Sequence, residues 1–384
     1  MDEHERDADQ RRIRTGSRSG CVIVGGSDTQ LTDTFDYQRS DQNNSPHPPA
    51  EPPASPPSPS EQVPAGVGDI RQQVENIAAD IANLTARQAL DLAQAVIRGA
   101  AGLGEDEKSQ VRDDLAALVQ TVIRKAGTVD ADDLDIETQE QTSVVRLSEN
   151  VITEKINQLN EAAEQLAASL EAAGFDPASG IGIGRKELRV AWEENENRNV
   201  SIGLPADSFT QLTEHEIYFA VETRGVAITV PPGSLIDPDM QVWNEGAFIE
   251  ISVSELDEDV IARHADILRS SAAADNRLAL KGGIFDLNAE VAEGGAKTKL
   301  ARFKDKLTLE IPFSDASDRE EKLGVYRYDP ESDSWQYVGG KVDAEAKRVA
   351  ARTGRFSLYA VLEFFRSFED IKGNPAQDDI ETLA

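Results

Sequence analysis

Residues that carry chemistry are scarce in this chain. A single cysteine, Cys21, among 384 residues rules out an intramolecular disulfide and any cysteine-rich metal site. The four histidines, His4, His47, His215 and His264, lie far apart. No HExxH, His-x-His or CxxC spacing is present to build a transition-metal centre. Basic residues are outnumbered, 39 against 70 acidic, for a formal charge of −31. Phosphate backbones are held by basic patches, so nucleic acid is not expected as a partner. Aromatic residues make up only 5%. No apolar run approaches the ~20 residues needed to span a bilayer, so no transmembrane segment is expected. "CVIVGG" (Cys21–Gly26) is likewise too short for the core of a secretion signal.

What is present falls into an α+β multidomain order. Residues 1–66 are polar and charged, then run into "SPHPPAEPPASPPSPSEQVP". Proline and serine at that density bury no apolar surface, which predicts a disordered leader ending in a semi-stiff linker. Residues 67–184 carry helical periodicity and predict a small α-helical bundle. Its stripes are Ile70, Val74, Ile77, Ile81 and Leu84, then Val111, Leu115, Leu118 and Val122, then Ile152, Ile156, Leu159, Ala163, Leu166 and Leu170. Thr85 and Gln88 have capping-box spacing. From 185 to 364 the period becomes two. Short runs such as "NVSIGLP", "AFIEISVSEL" and "KLTLEIPF" alternate with Gly, Pro, Asp and Asn clusters, predicting an antiparallel β-sandwich. Trp335, Tyr326, Tyr328 and Phe356 are its bulky core candidates, with Trp335 expected between the sheets. "DEDVIARHADILRSSAAA" reads as a helical insertion.

Three segments invite a chemical reading. "VDADDLDIE" groups Asp130, Asp132, Asp133, Asp135 and Glu137. An EF-hand starting at Asp130 would need glycine at its sixth position and glutamate at its twelfth; Asp135 and Gln141 stand there. The motif fails, leaving Asp130, Asp132, Asp133 and Asp135 as candidates for a looser Ca²⁺ site, against a solvated acidic loop. "GIGIGRKE" (Gly180–Glu187) has spaced glycines but lacks a phosphate-loop ending, and reads as a hinge. No serine lies in a Gly-x-Ser-x-Gly elbow.

"VSIGLPADSF", "VAITVPPGSL" and the stretch from Lys322 to Phe364 resemble a β-rich module found before the wall-anchoring repeats of bacterial surface proteins. The strand containing Phe356 and Ser357 also resembles the ZU5 family, some members of which cut their own chain at His-Phe-Ser. Arg355 occupies the histidine's place here and cannot act as a base, so self-cleavage is not implied. "FEDIKGNPAQDDIETLA" resembles the opening helix of an S-layer homology repeat, with Phe368, Asp370, Ile371, Gly373, Ala376, Ile380, Leu383 and Ala384 matching. Asn374-Pro375 departs from the usual His-Trp.

The resemblance implies a non-catalytic, exported structural or spacer protein at a bacterial cell surface, and residues 365–384 as the truncated start of a repeat. Cell-wall polysaccharide would then be a partner only through further repeats, with surface proteins as the other partners. Two alternatives stand beside it: a carbohydrate- or protein-binding module, and an accessory region of a larger wall-anchored hydrolase. No cofactor is expected apart from Ca²⁺ at the acidic cluster.

Overall fold

Four helices form first along the described chain: α1 (Val67–Asp80), α2 (Ala86–Ala100), α3 (Glu105–Gly127) and α4 (Glu149–Ala172). Each turns its apolar stripe inward. Ile70, Val74 and Ile77 are buried on α1, Val111, Leu115, Leu118 and Val122 on α3, and Ile152, Ile156, Leu159, Leu166 and Leu170 on α4. A fully buried leucine contributes about 2 kcal/mol of transfer free energy. Such burial, more than intrinsic propensity, holds helices of this length. The Thr85–Gln88 capping box is formed: Gln88 N–H donates to Thr85 Oγ1 at 3.2 Å, and Thr85 N–H to Gln88 Oε1 at 2.9 Å. Helix α4 ends in a Schellman turn. Phe175 N–H reaches Leu170 O, and Gly174 N–H reaches Glu171 O. Gly174, at φ +79, supplies the left-handed step.

This computed structural model describes residues 66–139, 141–176, 181–193, 197–235, 246–271, 276–300, 302–314 and 320–366. The leader up to residue 65 and the S-layer-like stretch (Phe368, Asp370, Ile371, Gly373, Ala376, Ile380, Leu383 and Ala384) lie outside the described residues.

Between α3 and α4 the chain makes a hairpin, β1 (Asp135–Gln139) and β2 (Thr142–Arg146), where helical periodicity had been expected throughout. The remaining elements are β3 (Glu187–Ala191), β4 (Asn199–Pro205), α5 (Ala206–Glu214), β5 (Tyr218–Thr223), β6 (Val226–Val230), β7 (Phe248–Glu255) and α6 (Glu258–Ser271). After them come β8 (Asn276–Glu293), β9 (Ala296–Lys299), β10 (Leu307–Pro312), β11 (Leu323–Asp329), β12 (Ser334–Gly339), β13 (Lys341–Asp343), β14 (Arg348–Thr353) and β15 (Leu358–Arg366). They form a nine-stranded sheet, ordered β1-β2-β4-β7-β8-β15-β11-β12 with β9 beside β8, and a six-stranded sheet ordered β13-β14-β10-β6-β5-β3.

The architecture is α+β with a β-sandwich. Its pairing is antiparallel except at β2–β4 and β3–β5, which are parallel. Parallel neighbours need a long crossover. Helix α4 and β3 intervene between β2 and β4, and β4 with α5 between β3 and β5.

Alternation assigns the faces. On β7, Ile249, Ile251 and Val253 point into the sandwich while Glu250, Ser252 and Ser254 point away. The inward residues of both sheets and the helical stripes belong to one continuous buried cluster. The end of α3 meets β3 at Gly127, where a Cβ would sit 1.9 Å from Glu187 O. Only glycine allows that approach. Val129 N–H then donates to Arg189 O at 2.9 Å.

A second, smaller cluster lies on the opposite side of the nine-stranded sheet, where α6 covers Ile284, Tyr326, Trp335, Ala360 and Leu362. Trp335 is therefore buried, but beneath α6 and not between the sheets. On β12 it shares a face with Tyr337, and the pleat turns that face outward. Tyr337 continues the row beyond the helix, 64% exposed, its ring lying over Gly324.

Candidate functional site

The acidic segment singled out in the sequence borders a hollow of about 630 Å³ between the α1–α2 turn, the end of α3 and the middle of α4. Asp130 and Asp133 are in its wall with Arg87, Lys125, Lys155 and Glu161. Lys155 is only 6% exposed, and its Nζ lies 3.3 Å from Asp130 Oδ2. Arg87 reaches both Asp91 and Glu161, at 3.2 and 3.0 Å. Two ion pairs thus cross the hollow's wall, Arg87 with Glu161 and Lys155 with Asp130. Asp132 sits on the 3-10 turn Ala131–Asp133, and Asp135 opens β1. The alternation of a strand and the Lys155 contact divert these oxygens. Among the described residues, no three acidic, histidine or cysteine side chains converge as a metal site would require.

The two described histidines have different settings. His215 is exposed at the end of α5, where its Nδ1 accepts from Asn160 Nδ2 at 3.1 Å. Lys186 Nζ donates to Asn160 Oδ1 at 2.9 Å and to His215 O at 2.6 Å. These bonds, with the buried Ile181, pin the segment read as a hinge to α4 and α5. His264, on α6, is buried with ring centroids 4.7 Å from Tyr328 and 5.7 Å from Trp335. Burial, aided by Arg263, lowers its pKa against a smaller opposing pull from Asp333. A neutral ring in an aromatic nest is packing chemistry.

The Arg355-Phe356-Ser357 step forms a corner between β14 and β15. Phe356 is buried edge-on against Phe303, at 4.9 Å between centroids. Ser357 Oγ donates to Tyr328 O at 3.2 Å. Thr353 Oγ1 donates to Arg355 O at 2.9 Å, and the Tyr359 hydroxyl also donates to that carbonyl.

The sequence reading missed the contrast between the sheets' outer faces. On the six-stranded sheet, Glu222 accepts from both Arg189 and Arg348. Arg348 also lies 3.9 Å from Glu310, and Arg189 3.9 Å from Glu187. Burial alone would raise the pKa of Glu222. The Arg348 hydrogen bond and the two guanidinium charges outweigh it and hold the carboxyl below its ordinary range.

On the nine-stranded sheet, the half formed by β2, β4, β7 and β8 is mostly polar and, among the described residues, carries no helix. Its register sets Thr142 beside Asn199, Asn199 beside Ser254, and Ser254 beside Asp286. The next row runs through Val144, Ser201, Ser252 and Asn288. The third row is charged. Glu250, 4% exposed, meets Arg146 at 3.4 Å and Lys297 at 2.7 Å. Phe248 edges the face, with the Arg146 guanidinium 5.8 Å from its ring centroid. Period-two alternation with Ser, Thr and Asn on the outer positions was the available signal, but one strand at a time it does not reveal which rows align.

No protein-family model matches the chain. Over 79 residues it is 46% identical to an amylopullulanase of Thermoanaerobacterium thermosulfurigenes, a match covering 21% of this chain and 4% of that enzyme. Among solved structures, the full extracellular region of zebrafish Gpr126/Adgrg6 aligns over 71% of this chain and 34% of that one. At 10% identity and a TM-score of 0.22, that likeness carries no argument. No described helix is long and apolar enough to cross a membrane.

Proposed function

We propose that this chain is a non-catalytic structural region of a larger extracellular protein at a bacterial cell surface, of the accessory kind that accompanies a polysaccharide hydrolase. The observation that carries the reading is the 79-residue stretch shared with an amylopullulanase at 46% identity, only 4% of that enzyme's length. A segment of that size corresponds to a small domain and not to a whole enzyme. Supporting it, two carboxylates lining the 630 Å³ hollow are held in ion pairs, Glu161 by Arg87 and Asp130 by Lys155. They do not present the matched acid and base that general acid–base chemistry needs. Attachment through S-layer homology repeats, suggested by the motif Phe368–Ala384, belongs to the same reading.

The test is hydrolysis. The full chain incubated with pullulan or amylopectin is expected to release no reducing ends above a protein-free blank. Sustained release that disappears on changing one carboxylate would overturn the non-catalytic assignment. Sequencing the gene beyond the codon for Ala384 tests the context. Hydrolase or S-layer repeat sequence in frame supports it, and an unrelated intracellular domain in frame removes it.

A further inference from the structure

Among the described residues, no helix covers the β2, β4, β7 and β8 half of the nine-stranded sheet's outer face, and its outward residues differ from the ion-paired ones of the six-stranded sheet. Thr142, Asn199, Ser254 and Asp286 stand in one straight row across four strands, with Ser201 and Ser252 beside them in the next. Among the described residues, none of these six side chains makes a hydrogen bond within the protein, although Ser201 is only 6% exposed and Asp286 feels the charge of Lys299. The row behind them is charged but closed on itself, Arg146 and Lys297 both being held by Glu250.

A shallow hollow of about 170 Å³ runs over the free groups. That is too small and open to enclose a discrete ligand, for which sites of about 300–1,000 Å³ are usual. It suits an extended chain lying on the surface.

We propose that this face binds a neutral polysaccharide laid across the strands. Three observations select that occupant. Five of the six free side chains are hydroxyls or a carboxamide, each able both to donate and to accept, as a sugar hydroxyl does. Adjacent strands are about 4.8 Å apart, close to the advance of one monosaccharide along an extended glycan, so successive sugars meet successive strands. Lastly, Arg146 and Lys297 are already held by Glu250, and the chain carries a net charge of −31, which disfavours anionic polymers. Phe248, at the edge of the face, offers its ring to the apolar side of a sugar.

The inference rests on the non-catalytic reading above in one respect: the polymer is held and not cut. Affinity electrophoresis of the full chain in gels containing pullulan, barley β-glucan or xylan tests it, with polyglutamate as the anionic control. At least one neutral polymer is expected to retard the protein and polyglutamate is not. Asn199→Ala/Ser254→Ala is expected to weaken that retardation about tenfold, the loss of one to two net hydrogen bonds. Tyr337→Ala, on the far edge of the same sheet, is expected to leave it unchanged.

Absence of retardation by every neutral polymer overturns the proposal. So does retardation that survives the double substitution, because the contact then lies elsewhere. A sedimentation change in the double variant without any glycan effect overturns it in favour of a second copy of the chain. Reducing ends measured in the same samples keep the two readings apart. Their release sinks the non-catalytic assignment, and failure to bind leaves that assignment standing.

Discussion

On the six-stranded sheet the outward residues answer one another: Glu222 takes hydrogen bonds from Arg189 and Arg348, and Arg348 extends toward Glu310. On the nine-stranded sheet the outward residues divide. Where they are Ile284, Trp335, Ala360 and Leu362, α6 lies over them. Where they are Thr142, Asn199, Ser252 and Ser254, no described residue hydrogen-bonds to their side chains. All three surfaces use the same pleat and the same alternation. A solvent-facing sheet can thus be closed by charge, closed by a helix, or left as a field of open hydrogen-bonding groups. The last is ordinarily satisfied by water, and it is the surface on which a neutral polymer is proposed above.

The comparison can be broken by substitution, with the sharpest effect expected beneath α6. Leu362→Ala removes a fully buried side chain and is expected to cost about 3 kcal/mol, read as a lower urea midpoint. Next comes Glu222→Gln, expected to cost about 2 kcal/mol at neutral pH through loss of charge-assisted bonds to two arginines. The folded-state pKa of Glu222 is depressed. Its contribution is therefore present above the ordinary carboxylate pKa and fades as pH falls through the folded value. The stability gap between wild type and variant should close on acidification, and a gap constant with pH would refute the electrostatic assignment.

Smaller still is Tyr337→Ala, which uncovers Gly324 and ends the ring contact with Tyr326 at 5.3 Å. About 1 kcal/mol is expected in the same assay. Asn199→Ala/Ser254→Ala should change stability by less than about 0.5 kcal/mol, as surface changes without partners do. A loss of 2 kcal/mol or more would mean that those side chains hold the fold.

Much of this fold is legible in local chemistry. Helices α1, α3 and α4 follow from their apolar stripes, α2 from the Thr85–Gln88 box, and most strands from alternation between turn residues. The β1–β2 hairpin escapes such reading because "DIETQ" is mostly polar, with Asp135, Ile136, Glu137 and Thr138 all exposed. It is a strand by virtue of its partner and not of its own propensity. Helix α5 was hidden behind Pro205, which serves as its N-cap position and not as the end of a simple turn. The placement of Trp335 needed the direction of β12, and the hydroxyl rows needed the register of four strands. The acidic cluster of Asp130, Asp132, Asp133 and Asp135 stood out in the sequence, but the Lys155 ammonium that meets Asp130 lies 25 residues further along the chain.

The hairpin also bears on how force would travel through the molecule. Strand β2 is laced to β4 over five residue pairs, and a second seam joins the end of α3 to β3 at Gly127. The two seams grip opposite sheets of the sandwich. A pull on the helices would therefore reach the nine-stranded sheet through a five-pair ladder and the six-stranded sheet through the single Val129–Arg189 bond. The helical part is thus fastened to the sandwich at two points on opposite sheets.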